Sequence, residues 1–551
     1  MMTSAKEDYQ FIEGYADQLS VEAGTSIGLC VSTNSRRYSV KVTRVGCDRQ
    51  IMWTRDEIPG KKYPVPDDAS THGCKWPEAL SVPVGKDWPS GYYHVLLSVD
   101  GGASGELSFV VRSERPGRES SILLQLATNT RNAYNTWGGS SLYRGPDAPA
   151  RRVSFDRPDA GFVSVDGLLL FSMGLEFEDD LDSGVISERF RDAFQEQVEA
   201  FGVPGILLSL QGTITTQDPG RRWWIDDVFG MGPPGYKVKK SRDSIDVYDG
   251  TPIFENGWQN WESLFVAWAE REGYKLDFAV NSDLEFHPEI LENYRLVLSV
   301  GHDEYWSSPM RDHLEAFIAS GGNVAFFSGN SVWWQVRSED DGRALVGWKE
   351  AYKQDPFYAS GDHALLSTLW CNHLINRPEN HLTGVSFAYG GYRRFFDQFL
   401  DSSGGYTVHR PEHWIFDGTG LRRGAILGAQ HHVASYECDG CRFHLEQGLP
   451  VPTLGDGTPE TFQILATARA GFSISSGAQL GEGNESDQFR EALYGNESDA
   501  QHPQPGAACL GSYTRGGTVF TTGCTNWAHG LKGGDKAVER ITRNVLNRLS
   551  K

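Results

Sequence analysis

One short run of the sequence concentrates the side chains that could do chemistry: His302-Asp303-Glu304-Tyr305-Trp306. It follows an apolar stretch, Tyr294 to Val300, that is typical of a buried strand. A tyrosine at a strand end is usually a packing residue, but an apolar core would not accept its polar neighbours. Because open α/β sheets bind ligands beyond the carboxyl ends of their strands, we expect the functional site here.

A second polar stretch runs from Thr128 to Tyr143 and includes Tyr134, Asn135 and Trp137. It is dense in amides, hydroxyls and aromatic rings. This composition favours a binding loop, and a hydrogen-bonded structural loop is an equally valid interpretation.

Cysteines and histidines offer three other candidates. Cys438 and Cys441 form a single CxxC pair, whereas a structural zinc normally needs a second pair. Cys524 follows a predicted strand and has His529 nearby, which would suit a cysteine nucleophile, but its context is not a G-x-C-x-G turn. His431-His432 with Glu437 could bind zinc, although solvated or core histidines are more common.

The predicted elements around the first run alternate between helices and apolar strands. Tyr294 to Val300, the helix of Met310 to Ala319 and the strand of Asn323 to Ser328 form a βαβ unit. The other predicted strands are Ser121–Leu126, Gly205–Leu210, Lys275–Val280 and Gly517–Thr522, and the other helices are Ser187–Phe201, Trp258–Glu272 and Lys536–Leu549. This alternation predicts a mostly parallel, doubly wound sheet with long insertions at Gln211–Asp249 and Trp333–His432.

The N-terminal part of the sequence has a different pattern. Short β-rich runs separated by turns predict a small antiparallel sandwich with strands at Ser26–Ser32, Tyr38–Val45, Leu80–Val84, Gly91–Ser98 and Gly105–Val111. Glu114 to Glu119 is polar and looks like a linker. We therefore predict a β-sandwich domain at residues 1–115 and an α/β catalytic-type domain at residues 116–551.

Composition narrows the classes of partner. The 551 residues carry a formal net charge of -21, which argues against nucleic acid or an anionic membrane as the principal partner. No apolar run is long enough to span a bilayer, and the first residues lack the core of a signal peptide. Eight cysteines are too few for a disulfide scaffold. We expect a soluble, cytoplasmic protein.

Four motifs, in this order along the chain, resemble the large (beta) subunit of N,N-dimethylformamidase and its bacterial homologues: Ala133-Tyr134-Asn135-Thr-Trp137-Gly138-Gly139-Ser140, Gly301-His302-Asp303-Glu304-Tyr305-Trp306, Arg377-Pro378-Glu379-Asn380 and Gly523-Cys-Thr-Asn-Trp527. The resemblance implies a β-sandwich joined to an α/β domain related to glutamine-amidotransferase (flavodoxin-like) folds. It also implies one Fe(III) ion, held by two tyrosinates and a glutamate, that hydrolyses a small N-substituted formamide.

The resemblance assigns the metal ligands residue by residue. Tyr305 matches the tyrosine of the family's H-x-E-Y segment, and Glu437 matches the glutamate of its G-Y-E-x-D segment. Where the family has Tyr-Lys, this chain has Trp348-Lys349. Tyr352, one turn further on, would replace that tyrosine if Ala344 to Lys353 were helical. Two further departures are Ser435, where the family has a histidine, and Asn526, where it has an acidic residue.

The remaining assigned roles complete the hypothesis of an iron-dependent amidohydrolase. His302, Asn135 and Asn526 are the predicted catalytic residues, with His302 as a proton shuttle and the two amides near the oxyanion. Tyr134, Trp137, Trp306 and Trp348 are predicted to bind the small amide substrate. A metal-free binding or scaffold homologue and a cysteine-dependent amidotransferase-like enzyme are the alternatives. A homo-oligomer and a small partner subunit both stay open.

Overall fold

The computed structural model describes residues 10–100, 103–143, 145, 148–159, 257–393, 404–470, 491–493 and 506–551. The predicted helix Ser187–Phe201, the predicted strand Gly205–Leu210 and the predicted insertion Gln211–Asp249 lie outside these residues. In the described ranges, no helix has both the length and the apolar character needed to cross a bilayer.

The N-terminal region consists of two β-sheets around a shared apolar core. Its elements are β1 (Ile12–Ala16), β2 (Ser20–Glu22), β3 (Ser26–Thr33), β4 (Arg37–Val45), β5 (Arg49–Pro59), α1 (Ala69–His72), β6 (Leu80–Pro83), β7 (Gly91–Ser98) and β8 (Ser104–Arg112). One sheet has the order β1-β3-β6 and the other β2-β8-β7-β4-β5. Alternate side chains of β7, such as Tyr93, Val95 and Leu97, are buried against the opposite sheet. The five predicted strands here are all present.

The remaining described elements build the larger part of the molecule. The first group is β9 (Ile122–Leu126), α2 (Thr128–Tyr134), β10 (Arg152–Ser154), α3 (Ser263–Arg271), β11 (Asp277–Val280), α4 (Asn281–Phe286), β12 (Leu296–His302), β13 (Tyr305–Ser307), α5 (Ser308–Ala319) and β14 (Asn323–Gly329). The second group is β15 (Trp334–Glu339), β16 (Ala344–Val346), α6 (Pro356–Ser360), α7 (Asn380–Thr383), β17 (Ser386–Arg393), β18 (Tyr406–Val408), β19 (Ile426–Leu427), β20 (Tyr436–Gly440), β21 (Phe443–Glu446), β22 (Leu449–Pro452), β23 (Gln463–Arg469), β24 (Ala507–Arg515), β25 (Gly517–Thr521), α8 (Trp527–Lys532) and α9 (Lys536–Leu549).

Within the described residues, nine strands form a central sheet in the order β11-β9-β12-β14-β25-β24-β23-β18-β19. The strands from β11 to β25 are parallel, whereas those from β25 to β19 are antiparallel. The molecule is therefore a mixed α and β protein that is rich in strands. The predicted parallel sheet accounts for only about half of the observed one.

Local sequence explains how the strand that carries His302 joins the following helix. Ser307 caps α5 by accepting a hydrogen bond from the Met310 backbone N–H at 3.4 Å, and Pro309 occupies the first turn. Gly301 has φ +81°, and a Cβ there would lie 2.4 Å from the Cβ of Trp261. Only glycine fits both this backbone and this contact, so β12 can turn sharply into the site.

Three local predictions need correction. Trp258 to Glu272 is not one regular helix, because a π-helical turn at Trp258–Glu262 precedes α3. Ala344 to Lys353 is not helical either: the chain forms β16 and then a 3-10 helix at Lys349–Gln354. The stretch from Trp333 to His432, predicted as irregular, contains β15 to β19 in its described part.

Two small sheets lie beside the central sheet and carry several of the polar residues singled out in the sequence. The order β10-β16-β15-β13 places Tyr305 opposite Trp334. β17 pairs with β20, which carries Glu437. A Cβ on Gly329 would lie 2.5 Å from the Glu437 carbonyl oxygen, so glycine at the end of β14 allows β20 to approach.

Candidate functional site

The carboxylate of Glu304 is at the centre of a buried polar cluster beyond the end of β12. Tyr134 Oη donates a hydrogen bond to its Oε2 at 3.0 Å, and Tyr143 Oη donates to its Oε1 at 3.0 Å. The indole Nε1 of Trp334 donates to Oε1 at 2.7 Å. The backbone N–H of Glu304 in turn donates to Thr130 Oγ1 at 2.9 Å, so α2 fixes the position of this carboxylate.

Two phenols meet in this cluster. Tyr305 Oη donates a hydrogen bond to Tyr143 Oη at 2.7 Å, and the two rings are nearly perpendicular. Burial and the Glu304 carboxylate raise the pKa of both phenols well above the ordinary value of tyrosine. Both are therefore neutral unless a cation stabilises their phenolate forms.

His302 connects the phenol cluster to Glu437. Its Nε2 lies 2.8 Å from Glu437 Oε2 and 3.4 Å from Glu304 Oε2. This contact with Glu437 is at an ion-pair distance, and the Glu437 Oε2 atom has no hydrogen-bond partner in the described part of the chain. The carboxamide of Asn330 also faces His302, with Nδ2 3.4 Å from Nε2.

Lys349 brings a buried positive charge to the same place. Its Nζ lies 3.1 Å from the ring centroid of Tyr143 and 4.8 Å from that of Trp334, and its side chain is almost inaccessible to solvent. Its backbone has φ +52°, which is unfavourable for a residue with a Cβ. Such local strain is typical of functional positions.

A second layer of carboxylates holds the loops around His302. Asp439 accepts hydrogen bonds from the backbone N–H groups of Asn330 at 2.8 Å and Ser331 at 3.1 Å. Burial raises the pKa of Asp439 to about 7. Asp303 accepts from Ser299 Oγ at 2.9 Å and from Asn281 Nδ2 at 3.2 Å, and burial raises its pKa too.

Four other predicted residues lie outside direct contact with the phenols. Trp306 and Trp137 are fully buried core residues whose indole N–H groups donate to the Asp303 carbonyl and to Glu13. Asn135 donates to the Pro158 carbonyl at 3.0 Å and lines a separate cavity. Asn526 accepts from Trp261 Nε1 at 2.8 Å, and the Trp261 ring packs edge-on against His302. Of the residues predicted to bind substrate, Tyr134 lies in this polar cluster, whereas Trp137 and Trp306 are packed in apolar clusters.

Tyr352 and Trp348 are also outside the cluster. The Tyr352 ring packs against Tyr358 and belongs to the same apolar cluster as Tyr305, but none of its described hydrogen bonds or ring contacts joins it to Tyr305 or Glu437. Trp348 is half-buried beneath the guanidinium of Arg151, 5.7 Å from its ring centroid. Since residues 344–353 do not form the expected helix, the predicted replacement of the missing tyrosine by Tyr352 has no geometric support.

The cysteine alternatives fit the geometry poorly. Cys524 is fully buried, and burial raises the pKa of its thiol to about 12, so it is not activated as a nucleophile. Cys438 and Cys441 are buried and not disulfide-bonded. Across the described residues, no three or more His, Cys, Asp and Glu side chains are arranged to hold a metal, so His431, His432 and Glu437 do not form a zinc site.

Oxygen atoms of tyrosine and glutamate, unlike the cysteine and histidine candidates, do come together in this cluster. Tyr143, Tyr305 and Glu437 offer two touching phenol oxygens and one buried, unbonded carboxylate oxygen around the same cluster. Hard oxygen ligands, phenolates above all, suit ferric iron. The chemistry of these donors therefore fits a ferric ion.

Sequence reasoning named His302, Tyr305 and Glu437 but gave no role to Tyr143, Glu304, Asn330 or Lys349. Glu304 stood inside the predicted run, and Tyr143 ended the polar stretch from Thr128. Nothing in the sequence alone says that this stretch folds back onto Tyr305.

Comparisons with known proteins agree with the motif pattern. The family described as "N,N-dimethylformamidase beta subunit-like, C-terminal" matches residues 39–187 and 228–540. The N,N-dimethylformamidase beta subunits of Alcaligenes sp and Paracoccus aminophilus are 23% and 24% identical over 313 and 300 residues. Each match covers 52% of this chain and 36% of the relative, so the aligned part is about a third of those proteins.

The similarity to solved structures is too weak to support any statement about the fold. The superoxide reductase (neelaredoxin) from Ignicoccus hospitalis has a TM-score of 0.13 at 9% identity and covers 20% of this chain and 87% of its own. The family match, in contrast, spans most of the sequence and includes Tyr143, Tyr305 and Glu437. This chain belongs to the N,N-dimethylformamidase beta subunit-like, C-terminal family.

Proposed function

We propose that this protein is an iron-dependent amidohydrolase that cleaves the C–N bond of a small N-substituted amide or formamide. The observation that supports this proposal best is the contact of the Tyr143 and Tyr305 phenols beside the unbonded carboxylate oxygen of Glu437. A buried carboxylate oxygen without a hydrogen-bond partner is costly unless a cation compensates it.

Tyr143, Tyr305 and Glu437 would hold the metal. Three anionic oxygens would balance the charge of one Fe(III) ion. When bound, the ion would polarise the amide carbonyl and lower the pKa of a water molecule. Lys349, whose ammonium lies over the Tyr143 ring, would stabilise the phenolate form of that residue.

The other residues of the cluster would position the reactants and move protons. His302 Nε2 faces both Glu437 and Glu304, so it can hold or transfer a proton at that nitrogen. The Asn330 carboxamide beside it can orient the substrate amide by hydrogen bonding. Glu304 holds the Tyr134 hydroxyl in place.

Two further features of the relatives carry over only as proposals. Their name supports N,N-dimethylformamide and similar small amides as substrates to test first. It also identifies them as beta subunits, so we propose that this chain works with a partner subunit. Copurification of the tagged full-length chain from its native cell, with mass spectrometry of stoichiometric partners, tests the latter.

The test combines metal analysis with product release. Protein reconstituted with ferric iron should bind about one iron per chain and release formate and dimethylamine from N,N-dimethylformamide. Tyr305→Phe and Glu437→Gln should lose both iron and hydrolysis. Tyr358→Phe is the matched control, because Tyr358 is exposed and outside the cluster. Reconstituted wild-type protein that contains no iron would contradict the proposal and favour a metal-free binding homologue.

A further inference from the structure

The π-helical turn at Trp258–Glu262 stands against the end of β12, next to His302. A Cβ on Gly301 would lie 2.4 Å from the Cβ of Trp261, so this tryptophan packs directly on the turn that leads into the site. π-helical turns are rare and occur mostly at functional positions. Trp261 is almost completely buried, and the proposed hydrolysis gives it no role. Its position beside His302 therefore points to a role in the site.

Three consecutive residues of this turn are each fixed by a hydrogen bond to another element. The three bonds are His529 Nε2 to the Asn260 carbonyl at 3.0 Å, Trp261 Nε1 to Asn526 Oδ1 at 2.8 Å, and the Ala127 backbone N–H to Glu262 Oε1 at 2.8 Å. Asn526 is the N-cap of α8, His529 lies within α8, and Ala127 directly follows β9. The backbone on both sides of Trp261 is thus anchored, and its indole is bonded to the start of α8.

Asn526 connects the indole to the strand that carries Glu437. Because an indole N–H can only donate, the carboxamide oxygen of Asn526 must face Trp261. The preceding residue, Thr525, donates its backbone N–H to the Glu437 carbonyl at 3.2 Å. The hydrogen bond that holds the indole therefore comes from a segment whose own position is tied to Glu437.

The other side of the Trp261 ring contacts the imidazole of His302. The two ring centroids are 6.0 Å apart and the planes meet at 84°, which is the edge-to-face arrangement that aromatic pairs favour. Rotation of a histidine ring about its Cβ–Cγ bond has broad energy minima, so neighbouring groups decide where the ring nitrogens point. In the structure, Nε2 of the buried His302 lies 2.8 Å from Glu437 Oε2.

We propose that Trp261 is a positioning residue for His302 and that Asn526 acts through Trp261. The hydrogen bond from Nε1 holds the indole, and the indole holds the imidazole with Nε2 directed at the Glu437 and Glu304 carboxylates. The kinetic consequence rests on the proposed function, in which His302 transfers a proton at Nε2. A displacement of about 1 Å in such a group can lower the rate about a hundredfold. Asn526, expected from the sequence near an oxyanion, contributes by fixing Trp261.

Two variants remove the same hydrogen bond from its two ends. Trp261→Phe removes the donor and Asn526→Leu removes the acceptor. Each should lower kcat for N,N-dimethylformamide by about tenfold to a hundredfold, with KM and iron content unchanged. Trp268→Phe is the matched control, because this buried tryptophan of α3 packs against Phe265 and Tyr274 and should keep the wild-type kcat. A normal kcat in both variants, or a loss that follows lower iron content, would overturn the inference.

The residual hydrolysis of His302→Gln distinguishes positioning from general packing. If Trp261 acts through His302, adding Trp261→Phe to His302→Gln should not lower kcat any further, because the group being positioned is already absent. An equal fold-loss in the wild-type and His302→Gln backgrounds would mean that Trp261 supports the fold alone.

Crystal structures of the wild-type and Asn526→Leu proteins test the orientation without iron or hydrolysis. In Asn526→Leu the imidazole should rotate or adopt two orientations, with Nε2 displaced by at least about 0.5 Å relative to Glu437. An unchanged imidazole would overturn the positioning role even if the wild-type protein hydrolyses formamides. Wild-type protein without iron or hydrolysis would instead contradict the proposed function, and the orientation of His302 in these two structures would still decide the role of Trp261.

Discussion

The Tyr143 and Tyr305 hydroxyls share a hydrogen bond of 2.7 Å, although 162 positions separate them in the sequence. Tyr305 reaches this contact from β13, immediately after the turn at the end of β12. Tyr143 comes from the stretch that follows α2, which is tied to β13 by a hydrogen bond from Asn129 Nδ2 to the Tyr305 carbonyl. The site is thus built by two distant parts of the chain.

The first prediction distinguishes Tyr143 from Tyr352 as an iron ligand. Tyr143→Phe should lower iron content and bleach any phenolate-to-iron absorption, because it removes an anionic oxygen from the cluster. Tyr352→Phe should leave both unchanged, since Tyr352 packs against Tyr358 instead. Trp348→Tyr should not strengthen iron binding either. Loss of iron in Tyr352→Phe with normal iron in Tyr143→Phe would reverse the assignment.

The second prediction is that iron uptake increases with pH. Burial and the Glu304 carboxylate raise the pKa of Tyr143 and Tyr305, so both phenols carry protons in the metal-free protein. Binding as phenolates releases those protons, and acid therefore competes with the metal. The apparent affinity should rise by up to about tenfold per pH unit for each proton released.

Iron transfer from a ferric chelator between pH 6 and 8 would measure this dependence, after correction for the chelator's own protonation. Tyr143→Phe should make the dependence shallower, since one phenol proton fewer is released. An affinity that does not change with pH in the wild-type protein would mean that phenolates are not ligands.

Much of the fold could be predicted from short-range patterns. The strand at Asn323–Gly329 was predicted as Asn323–Ser328, and the helix at Lys536–Leu549 was predicted with the observed bounds. Both predictions rest on apolar periodicity and on glycine or proline breaks, which are local signals. The antiparallel half of the central sheet was missed. Pairing of β24 with β23 and β25 depends on contacts across the sheet, which no local pattern records.

From local pattern alone, the site was predictable only where its residues are close together in sequence, whereas Glu437 was named through the family resemblance. His302 and Tyr305 share one run, and polar side chains at a strand end already indicate a ligand site. The tryptophans were misleading: Trp137 and Trp306 have the composition of a binding surface, yet they bury their rings in the core and satisfy their indole N–H groups internally. A buried aromatic residue and a substrate-binding one have the same sequence signature.

A third prediction concerns the stability of the fold at alkaline pH. Glu379 is completely buried, accepts a hydrogen bond from Ser386 Oγ, and has its pKa raised by burial to about 8. A carboxyl group whose pKa is higher in the folded state than in the unfolded state contributes its full stabilisation below the unfolded-state pKa. That contribution is lost as the pH rises toward the folded-state pKa of about 8. Stability should therefore fall between pH 5 and 8 by roughly 1 kcal/mol per pH unit for this group.

Chemical denaturation across this pH range is the measurement. Glu379→Gln should make the pH dependence shallower, because glutamine cannot lose a proton, while the buried Asp439 and Glu262 keep their own contributions. Glu292→Gln, at an exposed position, is the control and should reproduce the wild-type curve. A Glu379→Gln curve that keeps the full wild-type slope would show that Glu379 is already ionised in the folded protein.

The last prediction separates iron chemistry from cysteine chemistry. Cys524 lies directly after the last strand of the central sheet, where a nucleophile would be expected, but it is fully buried. Burial raises the pKa of its thiol to about 12, so almost no thiolate forms near neutral pH. Iodoacetamide should therefore label the exposed Cys47 in the native protein and leave Cys524 unmodified until denaturant is added.

Cys524→Ala should retain hydrolysis, whereas loss of a true nucleophile would lower kcat by about 10⁴-fold or more. Native labelling of Cys524 together with loss of hydrolysis would favour the cysteine-dependent mechanism over the iron site.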